Sequence, residues 1–367
     1  MQDTVFSPSF GNRPSQLVGR DSIVAAFING LASAPGNKER ATLLLGQRGS
    51  GKTVLLWEIA DQARRRGFVV ASPTIVAEGM LGRIVEKIQD DGERFAKENS
   101  LHLSGGSLGV LGFSVGLQFT REIQESKSFQ YKLTQLCRAL NKQGKGVLIL
   151  VDELQANSPD VRQLVTAYQE LVGERANIAL VMAGLPSAVA ATLNDRVLTF
   201  LNRARKVELG PLSTSDVDAY FDTAFKQLDI SISPDLRREA ARATQGSPYL
   251  LQLIGHNIVA FSSRGEADAS TLGNAVAAAR EDFENDVCET TLAALSEKDG
   301  AFLAAMSVDE GPSKMADIAE RMQVGADYAQ KYRKRLLDAG VIKKAARGYV
   351  AFAVPHLGDY LRRKSGE

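Results

Sequence analysis

The sequence predicts an α/β fold. A parallel sheet of about five strands, with helices on both faces, is followed by an all-helical region and a small C-terminal domain of helices and a β pair. Three observations predict it. Short apolar runs alternate with stretches of helical period from about residue 41 to 210. Those runs are apolar almost throughout rather than at every second residue, as strands covered on both faces are. Beyond residue 213 such runs stop, and the pattern is helical as far as about 293.

The elements follow in order. Residues 1–17 are polar and turn-rich and read as an ordered arm or a tail. VGRDSIVAAFINGLAS (18–33) has helical period, with Ile23, Phe27 and Leu31 on one face and Asp21 or Ser22 as its cap. ATLLLG is a buried strand, and KTVLLWEIADQARRRG is a helix stopped by Gly67, with Trp57 in its core face. FVVASPTI is a second strand, and residues 78–98 are helical. Between 100 and 121, Leu111, Phe113, Val115, Leu117 and Phe119 alternate with small or polar residues, the period of a strand or hairpin with one buried face. Helices over 127–143 and 158–173 flank the strand GVLILVDE, and NIALVMAGLPS and KVELG supply two more strands. The expected domains are an arm at 1–17, a core at 18–211 with a β-rich insertion at about 100–121, a helical lid at 212–293, and a C-terminal domain at 294–367.

Bulk properties exclude little else. With 367 residues the chain exceeds what one core usually serves. A composition 44% hydrophobic and 24% charged is that of an ordinary globular protein, and a net charge of +1 implies no global affinity for polyanions. The N-terminus shows no basic start followed by an apolar run, and no run approaches the ~18 apolar residues of a spanning helix, so a cytoplasmic location is expected. Cys137 and Cys288 lie in helical patterns and read as small buried hydrophobes. The three histidines, His102, His256 and His356, have no ligand partners at metal-binding spacing.

The chemistry sits at the end of the first strand. Residues 46–53 read GQRGSGKT, the GxxxxGK[ST] pattern of a phosphate-binding loop between a strand and a helix. Glycines allow the backbone to approach a ligand closely, and inward-facing amides with a helix N-terminus favour an anion. Gly46, Gln47, Arg48, Gly49, Ser50, Gly51, Lys52 and Thr53 are therefore the expected nucleotide contacts. Lys52 would reach the β- and γ-phosphates, and the Thr53 hydroxyl would hold Mg²⁺. GVLILVDE ends on two acids about 100 residues beyond the loop. Asp152 is expected in the metal's shell, and Glu153 as the group that orients or deprotonates an attacking water. LSGGS at 103–107 is close to the signature of transporter ATPase subunits, but it precedes a β pattern and reads as a turn.

With these motifs in place, the chain resembles the AAA+/STAND-type P-loop NTPases, in particular the archaeal-type and origin-recognition-like ATPases. Narrower points of resemblance are VGRDS (18–22), AGLPS (183–187), FLNRARKVELGPLS (200–213) and QGSPYLLQLIG (245–255). The resemblance implies that Val18, Gly19 and Arg20 lie near adenine, although Asp21 stands where the family has Glu. It implies an arginine acting on the γ-phosphate, Arg203 or its rival Arg205, in a stretch that otherwise reads as a solvated basic turn. It implies that the turn Gly246–Ser247–Pro248 approaches the nucleotide, with Ser247 and Pro248 in contact. The family places a polar residue at the end of the fourth strand; here that strand ends Met182–Ala183–Gly184, which implies slow hydrolysis or none.

The C-terminal residues supply the last expectation. Helices at 296–306, 315–322 (Ala316, Ile318 and Ala319 inward) and 327–340 precede two short strands about a turn at Ala345–Gly348, the order of a winged helix. Residues 325–367 hold ten basic against four acidic side chains, so +6 is concentrated there and the rest carries −5. That footprint suits a duplex, with Gln330, Arg333, Lys334, Lys343, Lys344 and Arg347 as candidate contacts. The sequence thus reads as an Mg²⁺- and ATP-dependent switch, a slow ATPase that binds DNA. The alternative is a STAND-like signalling scaffold whose winged helix is autoinhibitory and touches no DNA. Expected partners are ATP and ADP, double-stranded DNA, and a second copy or another protein, but no membrane.

Overall fold

The fold is described from a computed structural model, which covers residues 5–8, 14, 16–102, 127–196 and 198–366. The alternating stretch and LSGGS fall outside the described residues. The chain divides into two compact units. One comprises residues 20–45 and 52–208; the other comprises 1–19, 46–51 and 209–367.

The first unit is built on the sheet. Its elements are α1 (Asp21–Leu31), β1 (Ala41–Leu45), α2 (Lys52–Arg65), β2 (Phe68–Ile75), α3 (Met80–His102), α4 (Phe129–Lys142), β3 (Gly146–Leu154), α5 (Pro159–Gly173), β4 (Ile178–Gly184), α6 (Pro186–Leu193) and β5 (Arg205–Glu208). A 3₁₀ turn at Thr199–Arg203 precedes β5. The sheet has five strands in the order β2-β3-β4-β1-β5, and every pair is parallel. Central strands β3 and β4 are buried along nearly their whole length, which is why their sequences are apolar throughout. Helix starts are capped by the expected chemistry in α4 and α5, where the Ser128 and Ser158 hydroxyls accept from the Tyr131 and Val161 amides. Helix α1 departs from expectation. Its N-cap is Arg20, without a side-chain cap bond, and Asp21 lies inside the first turn, where its charge faces the positive helix end. Its buried stripe is Val24, Phe27, Ile28 and Leu31, with Ile23 only half-buried. Trp57 is half-buried rather than core.

The second unit runs from the lid to the C-terminus. It contains α7 (Thr214–Gln227), β6 (Ser231–Ile232), α8 (Pro234–Ala243), α9 (Pro248–Phe261), β7 (Glu266–Ala267) and α10 (Ala269–Phe283), then a π-helical turn at Glu284–Glu289 and α11 (Thr290–Ala293). There follow α12 (Glu297–Ser307), β8 (Ser313–Lys314), α13 (Met315–Arg321), α14 (Ala326–Asp338), β9 (Ile342–Ala346), β10 (Tyr349–Phe352) and α15 (Leu357–Gly366). The two-residue strands β6 and β7 interrupt the predicted helical region, because so short a strand has no readable period. For the same reason β8 adds an unforeseen third strand to the C-terminal pair, in the order β8-β10-β9. This element order is compatible with a winged helix. In α13 Met315, Ile318 and Ala319 are buried, whereas Ala316, expected to face inward, is exposed.

One core serves both parts of this unit, running from Phe221 and Phe225 through Phe283 and Cys288 to Phe302, Leu336 and Leu357. The N-terminal arm belongs to it too. Phe6 packs edge-on to Tyr220 at 5.8 Å and tilted against Phe225 at 5.7 Å, and the Ser7 amide donates to Gln252 Oε1 at 2.8 Å. Both cysteines are free and buried, and burial pushes each thiol up to about 12. Among the described residues no helix is long and apolar enough to cross a membrane.

Candidate functional site

Strand β1 runs into the glycine loop, and α2 begins at Lys52. Gly49 and Gly51 have φ of +72° and +85°, a backbone region that L side chains rarely adopt. Gly46 is buried, and a Cβ there would stand 2.3 Å from Ser50 Oγ. Ser50 Oγ is itself buried without a hydrogen-bond partner among the described residues. Gln47 and Ser50 are half-buried, while Arg48 is exposed. The loop is thus a cradle of backbone with an orphaned hydroxyl in it, and that fits a ligand rich in acceptor oxygens.

The two acids of β3 have different surroundings. Asp152 is buried, and the Thr53 hydroxyl donates to its Oδ2 at 2.6 Å. Asp152 Oδ1 accepts the Glu153 amide at 2.8 Å. Glu153 adopts φ +52° and is exposed. The β3–β4 register shifts between Val151 and Leu154, so the two acids occupy an irregularity in the ladder. Leu154 then pairs with Gly184, where a Cβ would meet the Leu154 Cβ at 2.8 Å. That contact leaves little space for a larger residue at the end of β4. The donor set, one hydroxyl joined to one carboxylate, suits a hard oxygen-seeking cation such as Mg²⁺.

The arginines part company. Arg205 is tied to Glu39 by an ion pair within the sheet unit. Arg203, at the end of the 3₁₀ turn, is exposed and makes no bond to any other described side chain. Val18 is half-buried, and Gly19 (φ +64°) lies against Leu212 and Asp216 of the lid. Arg20 is buried, and desolvation lowers its pKa. In the lid, Gly246 (φ +74°) sits so close to Pro211 and Leu212 that a Cβ would lie 2.6 Å from both. Ser247 caps α9, and Pro248 Cγ is 3.6 Å from the position of a Cβ on Gly51.

Comparison with known proteins bears on this arrangement. Residues 16–181 match the family described as "AAA ATPase domain". The matched segment is similar to an AAA ATPase domain. It contains the glycine loop, both acids of β3 and most of β4. Residues 285–361 match a domain of unknown function (DUF8462). No curated protein matches the sequence. Among solved structures, the Walker-type ATPase of Pyrococcus abyssi matches 95% of this chain and 97% of its own at 15% identity, with a TM-score of 0.70. The ORC2 protein of Aeropyrum pernix, in ADPNP–ADP complexes, matches 98% of each chain at 14% identity and a TM-score of 0.63. Its ADP form gives 0.58 at 14% identity, again over 98% of each chain. At such identities the likeness is one of fold, and it extends past the matched segment over nearly the whole chain.

Outside that segment, the structure divides the basic residues of the C-terminal region into two groups. Lys331 and Lys334 on α14, and Lys343, Lys344 and Arg347 on β9 and its turn, are exposed and bonded to no described acid. β9 is an edge strand, and its residues after Ile342 are all exposed. Gln330 is exposed and accepts from Arg333 Nη1 at 3.1 Å, while Arg333 Nε is buried without a described partner. The others are committed inward. Arg335 bonds the buried Asp299 at 2.7 Å, Arg362 bonds Asp359 and the carbonyls of Ser307 and Asp309, and Arg363 pairs with Glu284. The charge count alone could not separate these groups, because the acids that claim the second group lie mostly outside the counted segment.

Proposed function

We propose that this protein binds Mg-ATP and hydrolyses it slowly, acting as a nucleotide-controlled switch whose winged-helix C-terminal domain binds double-stranded DNA. The observation that carries the nucleotide reading is the Thr53–Asp152 bond beside a loop whose glycines hold φ of +72° and +85°. Residues 46–51 would cradle the phosphates, with Ser50 Oγ free to donate. Lys52 would neutralise phosphate charge, and Val18, Gly19, Arg20, Ser247 and Pro248 would complete the nucleotide contacts. Thr53 and Asp152 would hold Mg²⁺, which when bound supplies charge neutralisation at the phosphates. Glu153, exposed beside Asp152, would orient or deprotonate the attacking water, and Arg203 would offset charge developing on the transferred group. The apolar end of β4 supports a slow rate. Calorimetry with Mg-ATP and Mg-ADP tests the proposal directly: heat of binding that vanishes in Lys52→Ala supports it, and no heat from the wild type ends it.

The DNA reading draws on the unpaired basic face of α14 and β9. Replacing Lys343 and Lys344 together by Ala should reduce the slope of log affinity against log salt by about 2, roughly 0.9 per lost phosphate contact. A specific observation favours the second reading, a scaffold without DNA contact. Arg363 of the tail is spent on Glu284, outside the C-terminal domain, as an autoinhibitory domain would require. Duplex binding with no salt slope, or no duplex binding, would select that reading.

A further inference from the structure

The first turn of α9 touches three things within the second unit. Its Tyr249 Cβ lies 3.1 Å from where a Cβ on Gly49 would stand, and Pro248 lies beside Gly51, so the glycine loop rests against this turn with no side chain between. The Tyr249 hydroxyl donates to Asp286 Oδ2 at 2.5 Å, and its ring is tilted against Phe283 at 6.1 Å. Burial, then the bond to Asp286, raises the phenol's pKa, so it remains a donor at any ordinary pH. Just before the turn, Gln245 Nε2 lies 3.4 Å from His356 Nδ1 of the C-terminal domain.

Asp286 belongs to the π-helical turn Glu284–Glu289. The same turn reaches the C-terminal domain three times. Glu284 pairs with Arg363, Cys288 Sγ donates to the Pro355 carbonyl at 3.7 Å, and Glu289 Oε1 accepts from the Tyr360 hydroxyl at 2.9 Å. A π turn is a local insertion in an α-helix, and slipping its i→i+5 bonds to i→i+4 gives it a second discrete arrangement. Coupling between sites requires such a two-state element, biased from both ends.

We propose that Tyr249 is the coupling residue that carries the state of the phosphate loop, through Asp286 and the π turn, to the C-terminal domain. The proposal rests on the nucleotide reading given above. A phosphate group on the loop moves or fixes Gly49, Tyr249 follows, and its hydroxyl pulls or releases the turn that holds Arg363, Pro355 and Tyr360.

The test is hydrogen–deuterium exchange on the full chain with Mg-ATP and with Mg-ADP, alongside calorimetry for both nucleotides. The variants are Tyr249→Phe, which keeps the ring on Gly49, and Asp286→Ala, which removes the acceptor instead. In wild type, exchange at residues 284–289 and 357–364 should differ between the nucleotides by about fivefold or more. In both variants nucleotide affinity should stay within about twofold while that contrast disappears, and the double variant should add nothing. A contrast that survives in Tyr249→Phe or Asp286→Ala overturns the coupling. So does a wild type that binds both nucleotides with no contrast at 284–289. Absence of any nucleotide heat would instead bring down the reading beneath it.

Discussion

Neighbours in sequence, Asp152 and Glu153 have different surroundings because the backbone turns between them. Asp152 is buried, with one oxygen on Thr53 and the other on the next amide; Glu153 is held at φ +52° and faces solvent. A non-glycine residue there costs of order 1 kcal/mol or more, and such strain tends to sit where geometry matters. Glu153→Gln should keep ATP affinity within about twofold and lower turnover by about 10²–10⁴, as the loss of a general base does. Turnover equal to wild type in a coupled phosphate-release assay would remove Glu153 from the reaction. The place of the acids was legible, since two carboxylates after five apolar residues mark the end of a buried strand. The turn between them was not, because it depends on Leu154 returning to pair with Gly184 on another strand. Likewise Arg203 was preferred only narrowly over Arg205 in sequence, and the partner of Arg205, Glu39, lies too far upstream to be read from the motif.

At the scale of elements, β1–β4 were readable because burial on both faces leaves little room for polar residues, and α1–α5 because each buries one stripe. The arm was not. VFSP carries no period, and only the aromatic face of α7 and the bare backbone of α9 give it a seat. Phe6 Cε1 lies 2.2 Å from where a Cβ on Gly255 would stand. Phe6→Ala should therefore destabilise the second unit by about 3 kcal/mol or more, as loss of a buried phenyl does. Gly255→Ala should cost about 1–3 kcal/mol by overpacking. Combined, they should cost clearly less than their sum, because the alanine methyl then occupies the space the ring has left. Urea unfolding of the four proteins checks this, and strict additivity would mean that the arm is not seated there.

For the molecule as a whole, the C-terminal charge excess read as one footprint but serves two ends, an outward basic face and an inward latch. The latch should be sensitive to acid. Burial opposes the charge on Glu284, yet its bonds to Arg363 and Arg280 outweigh that and hold the carboxyl below its usual range. Burial, then the nearby Arg280, pushes the His356 imidazole down as well. Both groups hold protons less readily folded than unfolded, so both make stability rise with pH. Their contribution is complete above the ordinary values of about 4.3 and 6.5, and is lost as pH falls through the lower folded ones. The denaturation midpoint should therefore drop between neutral pH and pH about 4, and Glu284→Gln should flatten the lower part of that decline. An identical acid limb in the variant would show that Glu284 does not contribute. The seating of Phe6 also bears on how the molecule is made. The ribosome releases the arm well before its seat, which is complete only after α9, and at about 5–20 residues per second the arm waits roughly ten to fifty seconds for a surface to close upon. Until α9 has emerged an apolar aromatic of the arm is uncovered, and a later part of the chain must come back to shelter an earlier one.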